Sequence, residues 1–377
     1  MEKMVNHSEH FLGVYRNKRV LVSGHTGFKG SWLSLWLLKL GADVAGFSKY
    51  LPSQPSHFEV TRLRQKMVHY EGDICNINEL KRVFKKFQPQ IVFHLAAQPI
   101  VRTAYDAPKL TFDTNLGGTV NILECIKENP CVKAGVIITS DKCYQNVGWD
   151  WGYRESDRLG GDDPYSASKA CVEMACQAYF KSFFHQKNAS QIATTRAGNV
   201  IGGGDWAKDR VVPDCVRAWS RNKVPLIRKP KATRPWQHVL EPVSGYLWLG
   251  ARLVKKPEGL AGEAFNFGPD GEIVKSVGEL VDTFLQYWGK GNWKHDPWDG
   301  QKKEASLLKL SCDKALRRLA WRPLLSFEET VEFTVEWYKN YYRTPNDAYG
   351  CTNRQIDRYI YKAISEKMAW AGNGSGR

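Results

Sequence analysis

Short apolar runs alternate with amphipathic stretches through the N-terminal half of the chain. Arg19-Val-Leu-Val-Ser23 is apolar, too short for a helix and followed by glycines, so it predicts a strand. Runs of the same kind predict further strands at Val44–Phe47, Val68–Glu71, Ile91–Leu95, Gly135–Thr139 and Ile192–Arg196. Between them, helical periodicity covers Trp32–Leu40, Ile77–Phe87 and Thr111–Glu128. Strand and helix in alternation predict an α/β fold, a doubly wound parallel Rossmann sheet with right-handed crossovers and helices on both faces.

After about Gly202 the pattern changes to aromatic and proline-rich segments, among them Trp206, Pro213, Pro225, Pro230 and Arg234-Pro-Trp. These predict a smaller C-terminal substrate-binding lobe over the carboxyl ends of the strands, with late helices at Val277–Trp288, Cys312–Leu319 and Phe327–Tyr342. The expected division is a dinucleotide-binding domain over 15–200, to which about 235–265 returns, a lobe mainly over 201–345, and a C-terminal extension over 346–377. That length exceeds one ordinary core. The glycine-rich end, Gly372–Arg377, reads as frayed.

Composition narrows the function classes. No apolar stretch reaches the roughly 18 residues of a membrane span, and Met1–His10 lacks the apolar centre of a signal peptide, so no membrane partner and a cytoplasmic location are expected. The nine cysteines stand singly with no Cys-x-x-Cys pair, which predicts reduced thiols and no metal. The net charge of +15 invites a nucleic-acid reading, but the basic residues are dispersed. No nucleic acid is therefore expected, and the excess suits ligands that carry pyrophosphate.

Candidate chemistry begins at Gly24-x-x-Gly27-x-x-Gly30, between the first strand and a helix. Glycines there allow a tight turn and close approach to a pyrophosphate at the helix N-terminus, which predicts a dinucleotide held by Gly24, Thr26, Gly27, Phe28, Lys29 and Gly30. The acidic residue that usually holds the adenosine ribose is missing from Gly46-Phe-Ser48-Lys-Tyr50. NAD and NADP both stay open at that strand, since Lys49 could draw a 2′-phosphate. Asp73 and Ile74 suit an adenine contact, and Leu95, Ala96, Ala97 and Gln98 leave room for the cofactor to lie near the backbone.

Tyr165 and Lys169 sit four residues apart at a helix start, so both project from one face. A lysine ammonium beside the phenol is expected to lower its pKa and let it take a proton from an alcohol. The same pair also occurs as a solvated helix face.

With Asp73-Ile74, His94-Leu-Ala-Ala97, Asn115, Ser140, Asn199 and Arg234 added, residues 15–345 resemble the extended short-chain dehydrogenase/reductase family. Within it they resemble the nucleotide-sugar 4,6-dehydratases, those acting on CDP-glucose above all, through Thr139-Ser-Asp-Lys-Cys-Tyr144, Arg196-Ala-Gly-Asn-Val-Ile-Gly-Gly-Gly-Asp-Trp206 and Arg234-Pro-Trp-Gln-His-Val-Leu-Glu-Pro242. Epimerases of the family have no acid and base after the Ser or Thr, and the dTDP-glucose enzymes carry Thr-Asp-Glu. Here the segment is Ser140-Asp141-Lys142.

The resemblance implies a lyase that uses NAD to make a 4-keto-6-deoxy sugar from CDP-glucose, a precursor for deoxysugar and O-antigen synthesis. Ser140, Asp141, Lys142, Tyr165 and Lys169 would be catalytic, with Lys142 either the C5 base or a charge that stabilises the enolate. Asn115 joins the cofactor set with Tyr165 and Lys169. Gln98, Arg102, Asn199, Trp206, Arg210 and Arg234 would bind substrate. A homodimer or homotetramer through Thr111–Glu128 and Tyr165–Phe184 is also implied. Other UDP- or dTDP-sugar dehydratases, 4-epimerases and a non-catalytic dinucleotide sensor remain the alternatives.

Overall fold

Seven strands, β1 (Arg19–Ser23), β2 (Asp43–Ser48), β3 (Val68–Glu71), β4 (Ile91–His94), β5 (Ala134–Ile138), β6 (Gln191–Arg196) and β7 (Ala264–Asn266), pair in the order β7-β6-β5-β4-β1-β2-β3. Every pair is parallel. The computed structural model describes residues 7–186, 188–271, 273–296 and 308–372.

Side chains alternate across each strand, and both faces are covered. Val20 and Val22 enter one core with Trp32, Trp36 and Phe93, while Leu21 enters the other with Ala45, Phe47 and Val92. A strand buried on both sides is apolar throughout, which is why these segments read as unbroken runs. The longer helices are α1 (Phe28–Lys39), α2 (Ile77–Phe87), α3 (Gly118–Glu128), α4 (Pro164–Tyr179), α5 (Val211–Trp219), α6 (Leu240–Lys255), α7 (Val277–Trp288), α8 (Phe327–Arg343) and α9 (Ala348–Ser365). Their starts are chemically marked. Asn76 accepts hydrogen bonds from the backbone at Asn78 and Glu79 ahead of α2, and Ser276 and Ser326 close capping boxes on α7 and α8.

The strand order reverses between β1 and β4, so the turns leaving these two strands diverge and open a crevice at their carboxyl ends. Two features add to the sequence expectation. The stretch 111–128 is helical throughout but carries a π-helical turn at Asp113–Gly117. The segment beyond 346 is structural: Trp370 is fully buried and stacks on Phe11 at 5.0 Å, tying the end of the described chain to its beginning. Residues 373–377 of the glycine-rich end lie outside the described residues. Among the described residues no helix is long and apolar enough to cross a membrane.

Candidate active site

The turn after β1 is built for close approach. Gly24 has φ +75°, and a Cβ there would come within 2.6 Å of the Ala96 backbone nitrogen. A Cβ at Gly30 would overlap the Gly24 carbonyl. Only glycine therefore fits either place, and the turn feeds straight into α1, whose N-cap is Gly27. Ser23 at the end of β1 contacts His94 Nδ1 at 2.6 Å, and His94 Nε2 contacts Thr119 Oγ1 at 3.0 Å, which locks β1, β4 and α3 together beneath the crevice.

Ser140 ends β5 and caps a single 3₁₀ turn, Asp141–Cys143. Its hydroxyl donates to Asp141 Oδ1 at 2.8 Å and accepts from the Lys142 backbone nitrogen at 3.3 Å. Asn199 Nδ2 donates to Asp141 Oδ2 at 3.5 Å, and Gly198 leaves the space that the Asp141 carboxylate fills. Opposite, Asp163 caps α4 by accepting from the Tyr165 and Ser166 nitrogens at 2.9 and 3.0 Å, so the first turn of the helix presents Tyr165 to this carboxylate.

Burial pushes the Tyr165 phenol up to about 12, and Asp141 adds to that; Ser140, by hydrogen bond, and Arg210, by charge, pull it down. Burial therefore leaves the phenol raised where the neighbouring Lys169 was expected to leave it lowered, and Ser140 and Arg210 are the groups that offset the burial. Lys169 is itself brought from 10.5 to about 8, mainly by burial. Lys29 is likewise lowered to about 8, first by burial and then by Lys169 and Arg210, with Asp141 opposing. Among the described residues neither ammonium has a hydrogen-bond acceptor; Lys29 faces the Tyr246 ring at 6.0 Å. A buried and a half-buried cation without acceptors mark a place for a ligand's oxygens.

A consequence for stability follows from Lys169. An unfolded lysine keeps its proton up to about 10.5, whereas the folded one releases it near 8, so between these values the unfolded chain binds more protons and this group's contribution to stability rises with pH. Below 8 the fold bears a buried, unpaired charge. Lys169→Met is expected to raise the melting temperature of the ligand-free protein at pH 7, with the gain shrinking as pH climbs toward 10.5. Calorimetric melts across that window check it, and a variant that melts lower than the parent at pH 7 contradicts it.

Beneath the cluster lies a buried ionic network. Glu173, two turns beyond Tyr165 on α4, accepts from Arg196 Nε and Nη2, both at 3.0 Å, from Thr139 Oγ1 at 2.5 Å and from Thr194 Oγ1 at 2.7 Å. Arg196 Nη1 donates to Tyr144 Oη at 2.7 Å, and Tyr144 donates to Asn266 at 2.8 Å. Burial raises the Glu173 carboxyl, but Arg196 and the two threonines outweigh it and hold the group below the usual carboxylate range. Sequence reasoning missed Glu173; its spacing from Lys169, the same four residues that separate Lys169 from Tyr165, was the available signal.

Comparison with known proteins agrees with this architecture. A model described as GDP-mannose 4,6 dehydratase matches residues 21–334. The chain belongs to that family. Within the GDP-mannose 4,6 dehydratase family it is 46% identical, over 92% of its own length and 97% of the relative, to CDP-glucose 4,6-dehydratase of Salmonella typhimurium. It is 26% identical to dTDP-glucose 4,6-dehydratase of Haemophilus influenzae, over 85% of this chain and 97% of that one. Among solved structures, an epimerase of Methanothermobacter thermautotrophicus superposes with a TM-score of 0.76 at 25% identity, covering 89% and 96% of the two chains. A dTDP-glucose 4,6-dehydratase of Bacillus anthracis in complex with NAD gives 0.71 at 24%, covering 86% and 97%.

Against this family frame, the structure brings Lys29, Ser140, Asp141, Tyr165, Lys169, Asn199 and Arg210 together, and Lys142 stands half-buried on the same turn. Arg210 pairs with Asp205 at 2.7 Å, which fixes its guanidinium. Three expected contacts need correction. Trp206 is 3% exposed and packs edge-on against Trp337, Tyr338 and Tyr341, so its ring is core and offers no face to a base. Gln98 is buried, with its amide donating to Thr111 Oγ1 and accepting from the Ile100 nitrogen, so it shapes the crevice wall. Asn115 is buried on the π-helical turn and holds the Gln98 backbone and Ser168, which makes it a support.

The rest are placed as follows. Arg102 pairs with Asp209 at 3.3 Å on the surface. Arg234 stands on a two-residue strand paired with Lys275–Ser276, and its Nη1 donates to the Thr233 carbonyl at 2.7 Å. Thr26 donates to the Tyr50 carbonyl at 2.8 Å; Ser48 is buried against His25 at 3.0 Å. Asp73 pairs with Lys49 at 2.8 Å, and Ile74 is buried against Gly118. Phe28, Leu95, Ala96 and Ala97 border the glycine turn half-buried. No group of three or more metal-ligating side chains occurs among the described residues.

Proposed function

We propose that the protein is a hydro-lyase converting CDP-glucose to CDP-4-keto-6-deoxyglucose and water, with NAD as a resident cofactor. The carrying observation is Asp141: a buried carboxyl, held by Ser140 and Asn199 in the same cluster as Tyr165 and Lys169, supplies an acid that oxidation of an alcohol alone does not need. The cytidine nucleotide is favoured by the likeness to the Salmonella typhimurium protein.

The residues present fit a dinucleotide. The glycine turn packs backbone on backbone between β1, β4 and the start of α1 with no side chain in between, and the ammonium groups of Lys29 and Lys169 await acceptors. Gly24, Thr26, Gly27, Phe28, Lys29 and Gly30 would hold the pyrophosphate, Ser48, Asp73 and Ile74 the adenosine end, and Lys169 the nicotinamide ribose. Asp73 engages the Lys49 charge that a 2′-phosphate would use, which favours NAD over NADP. Bound NAD supplies a hydride acceptor for sugar C4 and a donor for C6.

The protein's own part is proton transfer and orientation. Tyr165 takes the O4 proton while Ser140 hydrogen-bonds the same oxygen. The resulting C4 ketone acidifies the C5 proton, Lys142 removes it, Asp141 protonates the C6 hydroxyl, and water leaves. Lys142 then returns a proton to C5, and the proton that Tyr165 took replaces the one Asp141 gave up, so the net change is the loss of one water. Arg210 and Arg234 would bind the diphosphate.

Lys142→Met is expected to slow water loss about 100-fold with NAD binding unchanged, read as the fall in sugar mass on dehydration and as cofactor affinity. Dehydration at the parent rate would remove Lys142 from the mechanism. The function itself is tested by incubation with CDP-glucose, UDP-glucose or dTDP-glucose, each with NAD or NADP, and by the ultraviolet absorbance of 4-keto-6-deoxy sugars in alkali. CDP-glucose with NAD should give the signal; no product from any pairing overturns the dehydratase reading.

The proposal extends to a cytoplasmic homodimer or homotetramer joined through α3, α4 and their flanking turns. In support, Leu110, Met174 and Phe183 are exposed on those segments, and the nine cysteines are unpaired. Light scattering should give a multiple of 42.9 kDa, and a monomer mass contradicts it.

A further inference from the structure

Residues 145–161 join the catalytic turn to α4 and hold two tryptophans toward solvent, Trp149 at 37% exposure and Trp151 at 60%. The loop that carries them is fixed. Tyr153 Oη accepts from the Val147 nitrogen at 2.7 Å and donates to Asn146 at 3.0 Å, and the Gln145 nitrogen donates to the Arg158 carbonyl at 2.9 Å. Trp149 stacks on buried Tyr153 at 5.2 Å, Tyr153 stacks on Tyr144 at 5.3 Å, and the Arg196 guanidinium lies 4.7 Å over Tyr144. The exposed indoles thus rest on a column that ends in the buried network. Packing on that column accounts for one face of Trp149 and leaves Trp151 unexplained, although keeping an indole in water forfeits burial energy.

Beside the rings is a pocket of about 250 Å³ lined by Trp149, Trp151, Arg154 and Asp157. We propose that this pocket binds a neutral pyranose ring outside the catalytic cleft. The axial C–H face of a pyranose is apolar and lies against an indole, while its hydroxyls need a donor and an acceptor at the edge. Arg154 and Asp157 supply them, and the Arg154 backbone nitrogen donates to Asp157 Oδ2 at 2.8 Å, which orients the carboxylate. Other ligand classes fit less well. The two indole centroids are 5.5 Å apart and tilted by 36°, too close and too open for a flat base to slide between them. The charges of Arg154 and Asp157 cancel, so nothing there draws a diphosphate. The volume is below the ~300–1,000 Å³ of sites for larger ligands, which suits a single ring.

The pyranose can be a free monosaccharide or the end of a glycan, and saturation-transfer NMR on the full chain distinguishes them with methyl α-glucopyranoside and maltotriose as probes. Transfer to ring protons is expected in the parent and in Tyr165→Phe at millimolar probe, stronger for whichever source the pocket prefers. In Trp151→Ala and Arg154→Ala it should fall at least about fivefold with CDP-glucose turnover unchanged. No transfer in the parent, or undiminished transfer in both pocket variants, overturns the site. So does a drop in molecular mass of Trp151→Ala by light scattering, since the indoles would then belong to a contact between copies of this chain.

Discussion

Tyr165→Phe is expected to lower turnover of CDP-glucose about 10⁴-fold, near the upper end of what a positioned acid–base group contributes. The substitution keeps the ring and removes one oxygen, so the helix start capped by Asp163 and the packing around α4 should survive. Cofactor affinity should hold as well, because Lys169 and the glycine turn are untouched. The pH dependence carries further information. With the free phenol pushed up to about 12, the oxidation step should speed up as pH rises through the accessible range. Arg210→Met removes one of the groups that pull the phenol down and should displace that rising limb to higher pH. Steady-state rates with a pH series on both variants test this. A Tyr165→Phe enzyme within tenfold of the parent would assign the O4 proton to another group.

Much of this site was legible because its parts are local. The limits of β1 to β6 fall within a residue of expectation, since a strand buried on both faces, such as Val20-Leu21-Val22, reads as an apolar run whatever surrounds it, while β7 was not read as a strand. Gly24, Gly27 and Gly30 declare a backbone geometry that few other residues tolerate. What could not be read depends on distant partners. Trp206 looked like a ligand platform because its real neighbours, Trp337, Tyr338 and Tyr341, arrive more than a hundred residues later. The π-helical turn at Asp113–Gly117 accompanies hydrogen bonds in which Asn115 accepts from the Gln98 nitrogen and donates to Ser168, and helical periodicity does not reveal it. The rise of the phenol was hidden for a related reason. Four-residue spacing puts Tyr165 and Lys169 on one face, but Ser140 and Arg210, from other elements, set the phenol's surroundings.

Glu173 is the residue whose loss should most damage the fold. Glu173→Ala strands the Arg196 guanidinium in the interior and removes the acceptor shared by Thr139 and Thr194, which should cost about 3–5 kcal/mol of unfolding free energy. Glu173→Gln keeps an oxygen for the threonines, and the smaller defect should recover part of the loss. The same carboxylate predicts an acid limb: its folded pKa lies below 4.5, so its contribution is present above that value and disappears as pH falls through the lowered one. The network also aligns α4 with β5 and β6, one turn beyond Lys169, so catalysis should suffer through geometry. In Glu173→Gln the expected signature is a lower kcat with little change in KM, alongside an unshifted Tyr165 pH limb. Denaturant melts and that kinetic split test the two roles separately. A loss below 1 kcal/mol in Glu173→Ala would show that the buried pair is dispensable to the fold, and a rise in KM alone would place Glu173 at the substrate.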